Sequence, residues 1–141
     1  MITKIPTGQA VITDTDFDRL MQLIQSPRYR AQHAERVLDL KLELDQKALV
    51  PPGRVPRGVV TMNSRVRVRD LESDDTETYT IVFPDDANID DNRLSVLAPL
   101  GTALLGRAAG DVVEFKAPAG ERRLRIERVV YQPEAAGDLH L

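Results

Sequence analysis

The 141-residue chain has room for one ordinary domain, or for a small domain carrying a helical appendage. A 42% hydrophobic and 29% charged composition is that of a soluble globular protein, and no run approaches the roughly 18 apolar residues that span a bilayer. Cysteine is absent, which excludes disulfides and thiolate chemistry, and the net charge of -3 divides into +2 over residues 1–58 and -5 over residues 59–141, not the positive excess of a free-standing nucleic-acid binder.

The N-terminus, "MITKIPTGQAVITDTD", lacks a basic stretch followed by an apolar core, so no secretory leader is expected and the cytoplasm is the expected location. Thr13 followed three residues later by Asp16 resembles a capping box. Phe17, Leu20, Met21 and Ile24 then mark one face of a helix. Pro27 disfavours helical geometry at Ser26, so this helix should end near Gln25. The next helix starts either at Ser26, with Pro27 in its first turn, or later, at Ala31 to Ala34. Within it, "VLDLKLELD" alternates apolar and polar residues like a strand. Its helix-forming composition, and the helical spacing of Val37, Leu40, Leu44 and Ala48, predict a helix instead. The result is an antiparallel hairpin about 25–30 Å long at 1.5 Å per residue. Its leucine face is a candidate contact for oligomerisation.

Three prolines and two glycines within Pro51–Gly58 stop regular structure, and a domain junction is placed there: residues 1–54 before it, 55–141 after it. Beyond it the pattern turns to β. "VVTMNSRVRVRDL" alternates, with Val66 and Val68 on one face and Arg65, Arg67 and Arg69 on the other. "ESDDTE" is a turn, "TYTIVF" a strand that pairs back, and "PDDANIDDNR" a loop. "SVLAPLGTALLGRAAGD" holds a short helix ending at Gly106 or Gly110, and "VVEFKAP" and "RRLRIERVVYQ" are two more strands. This is an α+β arrangement of about four antiparallel strands with one helix on a face.

Catalytic residues are few. His33 and His140 are the only histidines, and neither phosphate-loop pattern, G-x-x-x-x-G-K-[ST] or G-x-G-x-x-G, occurs. The acidic runs Glu72–Glu77 and Asp85–Asp91 lack calcium-loop spacing and are read as solvated turns. The Arg65, Arg67 and Arg69 stripe has a nucleic-acid reading, but pairing across the hairpin with Glu72 or Glu77 explains it without a ligand. Three Phe, three Tyr and no Trp leave too few aromatics for a single-strand stacking platform.

In "SVLAPLGTALLGRAAGD", Ser95, Pro99, Ala103, Leu104, Leu105, Gly106, Gly110 and Asp111 match I-S-x-x-S-P-x-x-x-A-L-L-G-x-x-x-G-D. That pattern is the hallmark of the C-terminal domain of the Gre-type transcript-cleavage factors. "TYTIVFPDDANI" resembles the family's preceding strand and acidic loop. "VVTMNSRVRVRDL" and "YQPEAAGDLHL" are similar to its short-hairpin branch, the regulators of nucleoside diphosphate kinase.

The resemblance implies a short coiled-coil hairpin followed by an FKBP-like antiparallel sheet with one short helix. It also implies binding to bacterial RNA polymerase at the entrance of the secondary channel. In cleavage factors an acidic hairpin tip helps hold the metal that activates water. Here no acidic residue lies between Asp18 and Glu35, and the hairpin is shorter. Ala98 stands at the motif's serine, and Leu97 at a position that is often polar. The expectation is therefore a non-enzymatic regulator with no cofactor or metal of its own. It competes with Gre cleavage factors and influences nucleoside diphosphate kinase levels. The expected partner-facing residues are Pro27, Arg28, Tyr29 and Arg30 at the tip, and Ser95, Leu97, Ala98, Pro99 and Leu100 at the grip surface. No membrane partner and no strong free nucleic-acid binding are expected. The alternatives are an FKBP-like prolyl isomerase or chaperone, and direct binding to nucleoside diphosphate kinase.

Overall fold

The computed structural model describes residues 9–139 and 141; what was expected of the first eight residues and of His140 lies outside the described residues. Helix α1 (Asp14–Gln25) starts where the capping pattern places it. Thr13 is extended, and its hydroxyl accepts the Asp16 N–H at 3.1 Å. Only this half of the capping box forms. The Asp16 carboxylate does not fold back on Thr13 but turns inward, where it accepts the distant Met62 N–H at 3.0 Å.

The break after α1 is a helix in its own right. Pro27 opens α2 (Pro27–Gln32), His33 leaves helical geometry, and α3 (Ala34–Asp45) follows. Both expected starting points are thus used, one for each short helix. In α3, Val37, Leu40 and Leu44 are buried, whereas Leu38 and Leu42 are 57% and 52% exposed. The 3.6-residue period therefore overrides the apparent alternation.

Three strands escaped the sequence reading, two of them at the hairpin. β1 (Val11–Thr13) pairs in parallel with β2 (Ala48–Val50), closing the base of the hairpin. At three residues each, they are too short to show a period. A 3₁₀ turn at Pro52–Arg54 follows.

The second part of the chain forms a five-stranded sheet. Its strands are β3 (Arg65–Asp70), β4 (Thr76–Val82), β5 (Arg93–Ser95), β6 (Val112–Ala117) and β7 (Gly120–Tyr131), in the order β5-β4-β3-β7-β6. Four are the expected antiparallel strands. β5 is an additional edge strand, parallel to β4, within residues read as loop and helix start. Helix α4 (Pro99–Leu104) is the expected short helix, and α5 (Pro133–Ala136) caps the end of β7.

One apolar cluster joins the helices to the sheet: Leu20, Leu23, Leu40 and Leu44 pack with Met62, Val66, Val68, Ile81, Leu104, Leu105 and Ile126. Gly106 is where the parts meet. Its φ is +83°, its N–H donates to the Val60 carbonyl, and its carbonyl accepts the Val11 N–H. A Cβ there would lie 2.5 Å from the Val11 carbonyl oxygen, so both conformation and space require glycine.

Candidate functional site

Two surfaces contain the residues singled out in the sequence. The first is the hairpin tip. Tyr29 is half-buried, and its hydroxyl donates to Asp85 Oδ1 at 2.8 Å. Arg28 Nη2 lies 3.2 Å from the same oxygen, with its guanidinium 5.1 Å from the centre of the Tyr29 ring. Burial, and then the hydrogen bond to Asp85, push the Tyr29 phenol above its ordinary value. Pro27 and Arg30 are exposed. The tip thus rests on the 3₁₀ turn at Pro84–Asp86, after β4.

The root of the hairpin is held more firmly. Asp16, 1% exposed, takes a charge-assisted hydrogen bond from Arg19 at 2.6 Å besides the Met62 N–H. Arg19 also lies over the Phe83 ring at 5.2 Å. Nearby, the Thr61 hydroxyl donates to Glu134 at 2.7 Å, and burial raises the Glu134 carboxyl above its usual range.

The second surface is built by the end of β5, the turn that follows and α4. Ser95 Oγ accepts the Leu97 N–H at 3.1 Å, and the Ser95 carbonyl accepts the Ala98 N–H. Thr102 Oγ1 donates to the Val96 carbonyl at 2.6 Å. Gly101 lets α4 press onto this turn: a Cβ on it would lie 2.2 Å from the Ser95 carbonyl oxygen.

The five expected grip residues consequently divide. Pro99 is exposed, and Ser95 and Ala98 are half-buried, but the Leu97 and Leu100 side chains are buried in the core cluster. Leu97 presents its carbonyl instead, which accepts from Arg36 of α3 at 3.3 Å. That bond joins hairpin and rim.

Ser95, Ala98, Pro99 and Leu100 edge a groove of about 770 Å³. Tyr79, Leu94 and Phe115 add apolar lining, and Arg36, Arg93, Lys116 and Arg122 line it too, with Glu77 the only acidic lining residue among the described residues. Ile89, 86% exposed, stands at its edge. Burial raises the Tyr79 phenol, and the hydrogen bond from Arg122 holds Asp70 below the usual carboxylate range. Its apolar lining and cationic edge complement an apolar segment with an acidic flank. Sequence reading missed Arg36, Ile89, Phe115 and Arg122 as groove residues, because strand pairing for the last two, and tertiary packing of a helix and a 3₁₀ turn for the first two, rather than any local motif, bring them together.

The arginine stripe has a different partner from the one expected. Arg67 and Arg69 reach Glu127 of β7, at 3.3 and 2.7 Å, and Arg69 also pairs with Asp74. β4 opposes the stripe with Thr76, Thr78 and Thr80, while Glu77 is registered with Val68, on the other face. Among the described residues, no group of three or more His, Cys, Asp or Glu side chains is placed to hold a metal, and no helix is long and apolar enough to cross a membrane.

Residues 55–131 match the model of the C-terminal domain of the transcription elongation factors GreA/GreB. The chain is 38% identical over 129 residues to the regulator of nucleoside diphosphate kinase of Escherichia coli K12, covering 91% of this chain and 93% of that protein. It is 34% identical over 118 residues to the transcription elongation factor GreA of Clostridioides difficile, covering 84% and 74% of the two chains. A solved GreA/GreB-type elongation factor from Nitrosomonas europaea superposes with a TM-score of 0.72 at 36% identity, over 89% of this chain and all of that one. The motif and these likenesses agree: the chain belongs to the GreA/GreB family.

Proposed function

We propose that this protein is a non-catalytic transcription regulator that docks on RNA polymerase at the secondary-channel entrance and there competes with Gre cleavage factors. The observation carrying this reading is the groove beside Ser95–Leu100, formed by the family's own motif and bordered by four cations. Its apolar lining and positive edge suit a polymerase helix that presents an apolar stripe flanked by carboxylates.

The tip chemistry supports a competitor rather than a cleavage helper. A tip of Pro27, Arg28, Tyr29 and Arg30 offers a phenol and two guanidinium groups, none of which holds a divalent cation as carboxylates do. Asp85 is close to this tip, but it is engaged by Tyr29 and Arg28.

A relative named for regulating nucleoside diphosphate kinase motivates an effect on the level of that enzyme, exerted through transcription. Two assays test the reading: capture of core polymerase on immobilised protein, and transcript cleavage by stalled complexes. Retention of polymerase together with suppression of GreA-stimulated cleavage supports it. Cleavage stimulated by this protein alone, or no retention, refutes it. A binary binding test with purified nucleoside diphosphate kinase separates this route from direct contact.

A further inference from the structure

The outer face of the five-stranded sheet is rich in arginine, and the docking groove shares only Arg93 of these arginines. Val66 and Val68 of β3 are buried, so Arg65, Arg67 and Arg69 point the other way. Leu124 and Ile126 of β7 are buried, which places Arg123 and Arg125 on that same outer face. Arg128 is registered beside Arg67 and is exposed, and Arg93 of β5 shares with Arg65 a depression of about 390 Å³ that Thr80 also lines.

Seven arginines therefore gather on one surface of a chain whose net charge is -3. Glu127 engages Arg67 and Arg69, Asp74 also engages Arg69, and Glu114 pairs with Arg123. Arg65, Arg93, Arg125 and Arg128 have no carboxylate within ion-pair distance among the described residues, although Asp91 and Leu141 also line the depression.

We propose that this face is a weak, sequence-independent docking surface for the phosphate backbone of duplex DNA. Arginine suits phosphate because its planar guanidinium donates two parallel hydrogen bonds. Arginines two apart on a strand repeat every ~6.5–7 Å, and adjacent strands lie ~4.8 Å apart, giving a grid of cations rather than one pocket. The Thr76, Thr78 and Thr80 hydroxyls lie across from the β3 arginines as further phosphate donors.

Tyr79, Phe83 and Phe115 pack against the core cluster. Tyr131, registered with Arg65, is then the one ring left on this face, and its hydroxyl is held by Asp138. One ring is not the row of stacking platforms that single strands require, which favours the duplex backbone as the polyanion. DNA as the source rests on the polymerase reading above, because polymerase carries a DNA duplex. Docking on the enzyme would raise the local concentration enough for a weak contact to matter.

The test uses the full chain, without polymerase, and a fluorescent 25-base-pair duplex followed by anisotropy. The expected Kd at 20 mM salt is tighter than about 100 μM, weakening steeply as salt rises. The pair Arg65→Ser and Arg125→Ser should weaken binding at least about tenfold and flatten the salt slope by about 1.8, at roughly 0.9 per phosphate contact. Arg65→Lys with Arg125→Lys should keep the parent's salt slope, because the charge is kept, and bind more tightly than the serine pair but more weakly than the parent, because lysine lacks the paired donors. The charge-matched pair Lys41→Ser and Arg54→Ser should leave binding unchanged.

Four results would overturn the proposal: no binding at 20 mM salt, equal losses in the charge-matched control, tighter binding to duplex RNA, or tighter binding to vesicles with 30% phosphatidylserine. A chain that binds the duplex but is not retained by polymerase would overturn the polymerase reading and leave the DNA-binding face standing.

Discussion

Replacing Gly101 by alanine sets two effects of opposite sign against each other. Within a helix, glycine to alanine gains about 1 kcal/mol from propensity alone. At Gly101, however, the new Cβ would lie 2.2 Å from the Ser95 carbonyl oxygen and 3.1 Å from both Ser95 C and Val96 Cα. The first distance falls more than 1 Å short of the ~3.5 Å at which attraction is best. All three neighbours are backbone, so no rotamer change relieves the clash.

Overpacking of this kind costs about 1–3 kcal/mol and more when backbone must move. The steric effect should win, for a net loss of about 2 kcal/mol, or roughly 6–10 °C in Tm for a chain of this size. The same displacement would move Ser95 and Ala98, so polymerase retention should fall with stability. Urea denaturation and thermal melting measure the first effect, and capture on immobilised protein the second. Gly53→Ala is the comparator: no atom would lie within 4 Å of its Cβ, and it should be neutral or slightly stabilising. A Gly101→Ala protein as stable as the parent would refute the close packing of α4 on the Ser95–Ala98 turn.

Three further outcomes are expected. Asp16→Ala strands the Met62 N–H and the Arg19 guanidinium at the hairpin root, and should cost about 3 kcal/mol in urea unfolding. Glu134→Gln keeps an acceptor for Thr61 but removes a partly buried charge. Because the folded-state pKa of Glu134 is raised above 4.5, the parent loses stability as pH rises from 4.5 through that value. The glutamine variant should therefore match or exceed the parent at pH 7.5, with the gap shrinking toward pH 4.5. Asp85→Ala frees the exposed tip at a cost below about 1 kcal/mol. Trypsin should nevertheless cleave after Arg28 or Arg30 faster than in the parent.

The elements legible in the sequence are those with a local cause. Thr13 with Asp16 marks the start of α1, and Pro27 its end, because capping and proline sterics act over three or four residues. Val66 and Val68 reveal the buried face of β3 by alternation alone. Elements that depend on partners were less visible. β1, β2 and β5 have three residues each and are strands only because Ala48–Val50, Val11–Thr13 and Thr80–Val82 lie alongside.

Side-chain pairing shows the same limit. Arg67 and Arg69 choose Glu127, about sixty positions away, over the nearby Glu72 and Glu77, because β7 lies next to β3. At the groove, the motif from Ser95 to Asp111 located one edge. It did not say that Leu97 and Leu100 turn inward, or that Arg36 and Phe115 complete the site. The inward capping carboxylate of Asp16 was likewise out of reach, since its partner Met62 lies forty-six positions away.

Polymerase docking is the claim on which the functional reading depends. Its most direct test is a competition experiment: stalled elongation complexes, a fixed amount of GreA and increasing amounts of this protein, with cleaved transcript as the readout. The account predicts that cleavage falls toward the GreA-free level as the protein is added. It also predicts that Pro99→Glu, which places a carboxylate at the edge of the groove, abolishes that inhibition. Undiminished cleavage at saturating protein, or cleavage that rises with it in the absence of GreA, would contradict the account.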